Sequence, residues 1–300
     1  TGPLHVGHGR GAAYGSAVAN ILSAVGYDVT REFYINDAGR QVDVLAISVW
    51  LRALEMAGKT AIFPRGGYQG DYIRDLASDV LAQNVINPED LQHFNADIFA
   101  HLPKDAHSLP DTASEAEQAE QKVIRDGYLN ALITLARQTL GAEYEKLQTR
   151  AVLAMLARIK HTLTQMHVEF DVWSSEKTLV TPETLAHTLA RLDAQHATYR
   201  DAEKNHLWLK TAERGDTKDR VLVRGNGAPT YFANDVAYHL SKIERQFERQ
   251  INVWGADHHG YIKRVQVAVE ALSGKTATPE VKLVQFVTLA SGRMGKRSGN

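Results

Sequence analysis

The chain has 300 residues, of which 44% are hydrophobic and 23% are charged, a composition typical of soluble globular proteins. Its formal net charge is −1, so binding to nucleic acid would need local basic patches. It contains no cysteine, which excludes disulfides and thiolate metal sites and agrees with a cytoplasmic location. No apolar run approaches the ~20 residues of a membrane-spanning helix, so no membrane association is expected.

Two histidines close to the start of the chain are the first candidates for chemistry. His5 and His8 are three residues apart and lie on one side of the first turn of a predicted helix. Gly7 between them would let a flat ring or a phosphate approach the backbone. Free N–H groups and the helix dipole attract anions there, so the arrangement suits a nucleoside triphosphate. A helix that merely begins with histidines, without chemistry, fits the four residues equally well.

The first 50 residues follow a helix–strand–helix order. An apolar stripe (Tyr14, Val18, Ile21, Leu22 and Val25) predicts a helix that ends near Gly26 and packs into the core. Residues 29–35 are rich in β-forming side chains and predict a strand, which the polar turn 36–40 follows. This order is typical of an α/β protein with a Rossmann-type, doubly wound parallel sheet, and 1–50 would be its first half.

The middle of the chain, residues 51–213, predicts a mainly helical insertion. Long helical patterns cover 115–138 and 143–166. The second of these carries an apolar stripe that predicts core packing: Leu147, Val152, Leu156, Ile159 and Leu163.

Sheet character returns in the last third of the chain, and 214–300 would be the second half of the Rossmann-type domain. The segments 206–210 and 220–224 predict a hairpin, and 230–246 predicts a helix. Further along, the pattern predicts strands at 251–254 and 283–289, separated by a helix that Gly274 ends.

Three polar turns adjoin predicted strands or helices, at 4–9, 36–40 and 255–260. In an open α/β sheet such turns converge on one crevice. Tyr231 and Asp235 are four residues apart and share a helix face, where a carboxylate beside a phenol could hold a guanidinium or an ammonium group. On spacing alone, an exposed aspartate beside a half-buried tyrosine is the more common arrangement.

The polar turns also contain residue types that bind metals: His5, His8, Asp257, His258 and His259. Their spacing matches none of the compact zinc patterns, and no glutamate stands beside either cluster as a general base. We therefore expect no tightly bound metal held by protein ligands.

A basic segment closes the chain. Lys296 lies between glycine and arginine residues and is flanked by Arg293 and Arg297. The segment could be an ordinary surface patch. It could equally clamp a triphosphate, because positioning and electrostatics supply most of the rate of displacement at phosphorus.

The paired signatures HVGH and RMGKR resemble the HIGH and KMSKS motifs of class I aminoacyl-tRNA synthetases. The sequence between them is similar to arginyl-tRNA synthetases, and the similarity runs in order through nearly the whole chain. The matching segments are TGPLHVGHGRGA, YINDAGRQ, YQGDYI, FDVWSSE, DRVLVRGNGAPTYFANDVAYHL and INVWGADHHGYIKRV.

The resemblance implies which residues bind ATP and catalyse. His5 and His8 match the two signature histidines, with Gly7 beneath the adenine, and Lys296 matches the second lysine of KMSKS. Gly255 and Asp257 fall in a turn that contacts the substrates. Arg293 and Gly295 replace the first lysine and the serine of the KMSKS motif.

The resemblance also implies an arginine pocket. Tyr231 and Asp235 match the tyrosine and aspartate that hold the arginine side chain, so the resemblance favours a binding role for this pair where spacing alone does not. His8 would touch both substrates, and His258 would contact the amino acid.

The implied activity is that of an arginine–tRNA ligase, which activates L-arginine with ATP and transfers it to the terminal adenosine of tRNA(Arg). Mg²⁺ would accompany ATP, and we expect a cytoplasmic monomer. The family's N-terminal RNA-contacting domain and anticodon-binding domain would lie outside this chain. Two alternatives stay open: a small-molecule nucleotidylyltransferase, which shares the H-x-G-H helix start, and a non-catalytic relative that binds tRNA or arginine.

Overall fold

The structure is a computed structural model that describes residues 2–87, 89, 91, 93–110, 112–274, 278–289 and 292–293. The backbone forms two compact units. The first contains the described residues of 1–6, 37–167 and 288–300, and the second contains those of 7–36 and 168–287. These boundaries differ from those expected from the sequence, which divides the chain at 1–50, 51–213 and 214–300. The assignment of 1–50 and 214–300 to two halves of one domain, with 51–213 inserted between them, stays a prediction.

The helices of the described residues are α1 (Val6–Ala24), α2 (Arg40–Met56), α3 (Tyr72–Ala82), α4 (Glu115–Leu140), α5 (Glu143–Gln165), α6 (Glu176–Leu179), α7 (Pro182–Ala194), α8 (Tyr231–Glu244) and α9 (Ile262–Ser273). The strands are β1 (Glu32–Ile35), β2 (Val172–Ser175), β3 (Thr198–Arg200), β4 (Leu207–Leu209), β5 (Arg220–Val223), β6 (Ile251–Gly255), β7 (Glu280–Val284), β8 (Thr288–Leu289) and β9 (Gly292–Arg293). Three 3₁₀ helices cover Ala96–His101, Ala212–Arg214 and Ala256–Tyr261.

The first unit is mainly helical and is built around α2, which is buried at every position from 44 to 51. A helix that is apolar on all sides needs neighbours on all sides, and α3, α4 and α5 supply them. The Asp43 carboxylate on α2 accepts hydrogen bonds from Arg137, Tyr144 and Gln148 at 2.7–2.8 Å. One carboxylate oxygen therefore ties α2 to both long helices.

The second unit contains two pairs of parallel strands. Strand β1 pairs with β2, and β6 pairs with β7. The glycine face of α1 lies against the second pair, because a Cβ at Gly15 would be 3.5 Å from Val253 and one at Gly11 would be 3.9 Å from Val284. The α/β class expected from the sequence is therefore confirmed.

A three-stranded antiparallel sheet, in the order β3–β4–β5, completes the second unit. The pairing of β4 with β5 confirms the predicted hairpin. The sheet shares an apolar core with α8 and α9, and this core includes Leu209, Leu222, Val236, Leu240 and Val269.

Two expectations for the second unit are wrong. The stripe on α1 is not core, since Tyr14, Ile21 and Val25 are 43%, 65% and 68% exposed. The contact with β6 and β7 uses the small residues on another side of this helix. The last predicted strand, 283–289, is split: β7 ends at Val284, and β8 pairs with β9 instead.

Strand β2 lies in the segment that the sequence predicted to be helical insertion. Its pairing with β1 joins residues 172–175 to the second unit. Within the described part of the chain, no helix is long and apolar enough to cross a membrane.

Candidate functional site

The candidate site of the second unit is a group of polar side chains near the ends of its parallel strands. Strand β1 ends just after Tyr34, β2 is followed at once by Glu176, and β6 ends at Gly255. Helix α8 adds Asp235 to the same group of polar side chains: burial raises the pKa of Tyr34, and the nearby charges of Glu176 and Asp235 raise it further.

Helix α8 begins with the predicted arginine-binding pair, which the structure places in different environments. Thr230 caps the helix and accepts a hydrogen bond from Ala233 N at 3.3 Å, so Tyr231 opens the first turn. Tyr231 is 71% exposed, whereas Asp235, one turn later, is half-buried and faces Tyr261. The exposed aspartate that spacing alone favoured is therefore wrong: the phenol is exposed and the carboxylate is covered.

The Asp235 carboxylate is held by one strong hydrogen bond. The Tyr261 hydroxyl donates to Oδ2 at 2.7 Å. Burial raises the pKa of Asp235, while the Tyr261 hydrogen bond and the charges of His258 and Lys242 act in the opposite direction. Among the described residues, no hydrogen bond to Oδ1 is formed. Asp235 therefore has a free acceptor in a largely desolvated position, which favours a cationic ligand.

Tyr34 and Glu176 extend this acidic site, and sequence reasoning missed both. Burial raises the pKa of Tyr34, and the nearby carboxylates of Glu176 and Asp235 raise it further. Glu176 is 8% exposed and accepts a hydrogen bond from Asn234 Nδ2 at 3.4 Å. The sequence offered one indication of their role, because each residue lies at the carboxyl end of a strand. This indication was not available for Glu176, because the sequence did not predict β2.

A network of polar contacts joins the elements that carry the site. Glu32 accepts hydrogen bonds from Ser174, Tyr238 and Arg245 at 2.5, 2.9 and 2.7 Å, which joins β1, β2 and α8. Burial lowers the pKa of Lys242 to about 8, and its Nζ donates to Asn252 at 3.0 Å. These contacts hold β1, β2, α8 and β6 to one another without a ligand.

The turn after β6 brings Gly255, Asp257 and His258 together. The Asp257 side chain lies close to Gly255, since a Cβ there would be 2.5 Å from Asp257 Oδ1 and would displace that carboxylate. His258 Nε2 lies 3.8 Å from Asp257 Oδ2, and both side chains are more than half exposed. They are accessible to a polar ligand, and His258 is also close enough to Asp235 for its charge to act on that carboxylate.

The N-terminal histidines flank the beginning of α1. The helix starts at Val6, so His5 immediately precedes it, whereas Gly7 and His8 lie in its first turn. The first N–H groups of such a helix have no partner within the helix and can bind an anion. Lys296, predicted to clamp the triphosphate, lies outside the described residues.

In the described part of the chain, no group of three or more His, Asp or Glu side chains is arranged to hold a metal ion. The exposed carboxylate of Asp257 is an oxygen donor suited to Mg²⁺, but a single carboxylate would need a ligand's phosphates to complete the coordination.

The chain was compared with known families and curated proteins. Residues 1–62 match the family model for the catalytic domain of class I tRNA synthetases (R). The chain is 45% identical over 303 residues to an arginine–tRNA ligase of Psychrobacter sp. (strain PRwf-1), covering 100% of this chain and 48% of that protein. It is 46% identical over 304 residues to the arginine–tRNA ligase of Halorhodospira halophila, again covering 100% and 48%. The chain thus spans about half the length of the curated relatives it matches.

The chain was also compared with solved structures. A crystal structure of a protein assigned as an arginyl-tRNA synthetase in Campylobacter jejuni superposes with a TM-score of 0.71 at 30% identity, over 99% of this chain and 55% of that one. The Thermus thermophilus arginyl-tRNA synthetase superposes with a TM-score of 0.60 at 22% identity, over 98% and 48%, which supports the fold.

Proposed function

Because this chain belongs to the arginine–tRNA ligase family of class I aminoacyl-tRNA synthetases, we propose that it carries the site that activates L-arginine with ATP. The observation that carries the proposal is Asp235: a largely desolvated carboxylate with one oxygen bound by Tyr261 and an acceptor left for a cation. A guanidinium matches such a site, because its planar N–H fork meets a carboxylate with two parallel hydrogen bonds.

The proposed pocket has three walls. Asp235 on α8 accepts the guanidinium, and the exposed ring of Tyr231 closes over its aliphatic stem. The Glu176 carboxylate, at the end of β2, favours a positive side chain, and the neutral phenol of Tyr34 lies beside it at the end of β1. His258, on the turn after β6, contacts the α-carboxylate or α-amino group of the substrate.

The proposed ATP site is built from the start of α1 and the turn after β6. The first turn of α1, with His5 and His8, binds the phosphates, and Gly7 allows the adenine to lie against the backbone. Gly255 and Asp257 contact the nucleotide from the other turn. Mg²⁺ accompanies ATP and is held mainly by the ATP phosphates, and Asp257 could supply one further oxygen ligand. Both parallel strand pairs would belong to one Rossmann-type sheet.

Adenylate formation follows from this arrangement as a displacement at phosphorus. The arginine α-carboxylate attacks the α-phosphorus of ATP, the α–β phosphate bond breaks and pyrophosphate leaves. His5, His8 and Lys296 stabilise the charge that develops on the phosphate oxygens, so no protein nucleophile is needed. The activated arginine then passes to the terminal adenosine of tRNA(Arg). We retain a cytoplasmic monomer as part of the proposal.

The test is arginine-dependent exchange of pyrophosphate into ATP by the full-length protein. Exchange is expected once tRNA is supplied, and lysine should not replace arginine because its ammonium lacks the planar fork. Lack of exchange with tRNA, ATP and arginine all present would remove the ligase proposal. Transfer of AMP to an acceptor that is not an amino acid would instead identify a nucleotidylyltransferase, which shares the H-x-G-H helix start.

A further inference from the structure

The Tyr261 hydroxyl occupies one lone pair of the Asp235 carboxylate and leaves the others open. We propose that Tyr261 is a positioning residue for arginine recognition, which holds the Asp235 carboxylate in the orientation that accepts both N–H groups of a guanidinium. This inference rests on the proposed function and extends it to a residue that does not itself touch the substrate. It makes selection of arginine depend on a contact between α8 and the turn after β6.

The Tyr261 ring is fixed by its neighbours, so its hydroxyl has a defined position. Phe232 on α8 meets the ring edge-on, with centroids 6.0 Å apart and planes at 89°. Trp254 on β6 lies 6.3 Å away at 61°, and the guanidinium of Arg264 on α9 lies 4.7 Å from the ring centroid. Each contact is weak alone, but together they restrict the two torsions that aim the hydroxyl. The donor is therefore preorganised.

An unsupported carboxylate at this position would be a poor receptor. A terminal carboxylate rotates broadly about its last torsion, so one fixed hydrogen bond removes much of that freedom. Burial also raises the pKa of Asp235, and the Tyr261 hydrogen bond counters this by favouring the ionised form. The other groups that act on Asp235 are Lys242 on its own helix and His258 on the turn, with the Tyr34 phenol on β1 also close.

A merely structural role for Tyr261 would tie α8 to the turn and affect stability without affecting arginine. Loss of the Tyr261 hydroxyl removes a hydrogen bond to the ionised carboxylate and so raises the pKa of Asp235 in either role. If Tyr261 positions Asp235 for arginine, arginine also binds more weakly at a pH well above that pKa, and its affinity begins to fall at a higher pH on acidification. A structural tie alone would leave the arginine affinity well above that pKa at its wild-type value.

The first experiment measures Kd for arginine and for ATP by calorimetry, from pH 5 to pH 8, on full-length protein carrying Tyr261→Phe. We expect arginine to bind roughly tenfold more weakly at pH 7.5, the size expected for a lost hydrogen bond to a charged group, with ATP unchanged. The acid limb of the arginine-binding profile, where affinity falls as the pH is lowered, should move to higher pH. KM for arginine should rise while kcat at saturating arginine stays within about twofold.

The matched control is Tyr144→Phe in the first unit. It removes the same hydroxyl from a similar bond, since Tyr144 donates to Asp43 Oδ1 at 2.8 Å, but it lies outside the proposed pocket. Arginine affinity and its pH profile should match wild type in this control. A fall in affinity equal to that of Tyr261→Phe would show a general loss of stability and overturn the proposal.

A double-mutant cycle with Asp235→Asn tests whether Tyr261 acts through the carboxylate. In the Asp235→Asn background, Tyr261→Phe should have no further effect on the weakened arginine affinity, because the group it positions is gone. Full additivity of the two effects would overturn the proposal while leaving the arginine pocket in place. Absence of arginine binding by wild type would instead overturn the proposed function together with this inference.

Difluorotyrosine at position 261 keeps the ring and the fold and makes the hydroxyl a stronger donor. It should move the acid limb of arginine binding to lower pH, opposite to Tyr261→Phe. This variant remains informative even if Tyr261→Phe does not fold. An unchanged or alkaline-shifted limb would contradict the positioning role.

Discussion

The ion pair between Asp216 and Arg220 should be the most sensitive electrostatic contact of the second unit. Arg220 donates from Nε to Oδ2 at 2.7 Å and from Nη2 to Oδ1 at 2.8 Å, and the two side chains are only 15% and 5% exposed. These hydrogen bonds hold the pKa of Asp216 at about 2, compared with 3.8 for an unperturbed aspartate. The charge of Arg264, which also covers the Tyr261 ring, lowers this pKa further.

The size of the effect follows from the pKa. A difference of about two units corresponds to about 2.5 kcal/mol, and solvent screening near the surface reduces it to about 1–2 kcal/mol. Because the pKa of a carboxylate is lowered on folding, the contribution is complete above the unfolded value near 4. It is lost as the pH falls from about 4 to about 2.

The test is urea unfolding of wild type and Asp216→Asn at pH 7 and pH 2.5, with amide exchange in β5 and α8 as a local readout. The variant should be less stable at pH 7 by about 1–2 kcal/mol, and most of the difference should vanish at pH 2.5. Glu280→Gln is the control, because Glu280 also accepts two hydrogen bonds from one arginine, Arg249, but these side chains are 38% and 45% exposed. It should cost no more than about 0.5 kcal/mol. Equal losses in the two variants, or a loss that does not depend on pH, would refute the reasoning.

Four further predictions concern two variants in the site and two in the backbone. Asp235→Ala should weaken arginine binding in the full-length protein by at least about 2 kcal/mol and leave ATP affinity nearly unchanged. His5→Ala should reduce pyrophosphate exchange far more than arginine affinity. Normal arginine binding by Asp235→Ala would exclude the proposed arginine pocket. Gly225→Ala should destabilise by about 1–3 kcal/mol in thermal unfolding, because the new Cβ would overlap the carbonyl oxygen of Lys204. Gly127→Ala should stabilise the protein by about 0.5–1 kcal/mol, because Gly127 lies within α4 and an added Cβ would have nothing within 4 Å. If Gly127→Ala proved less stable than Gly225→Ala, the packing described at these two glycines would be contradicted.

Local pattern predicted the elements well wherever one stretch of sequence determines one element. The helix at 115–138 corresponds to α4, which a Ser114–Glu117 capping box starts and Gly141 follows. The hairpin of β4 and β5 was also recovered, because both strands are short and close in sequence. Signals of this kind are contained within a few residues and need no knowledge of the rest of the fold.

Packing between distant segments was not predictable in the same way. The stripe on α1 showed that the helix has an apolar side, but periodicity cannot say what covers it. In the described structure the helix contacts β6 and β7 through Gly11 and Gly15, and Ile21 stays 65% exposed. Strand β2 was missed because its four residues precede a helix and pair with a strand about 140 residues earlier.

The candidate site shows most clearly why spacing is not enough. Spacing alone placed Asp235 on an exposed face, because most aspartates are exposed and nothing nearby in sequence predicts its burial. The groups that define its chemistry come from other segments: Tyr261 lies 26 residues later, and Tyr34 lies on β1. Covering this carboxylate raises its pKa, so folding works against its charge until a cation binds. A buried, incompletely hydrogen-bonded carboxylate is typical of a binding site, where the ligand replaces the interactions with water that burial removes. A guanidinium replaces them with two hydrogen bonds.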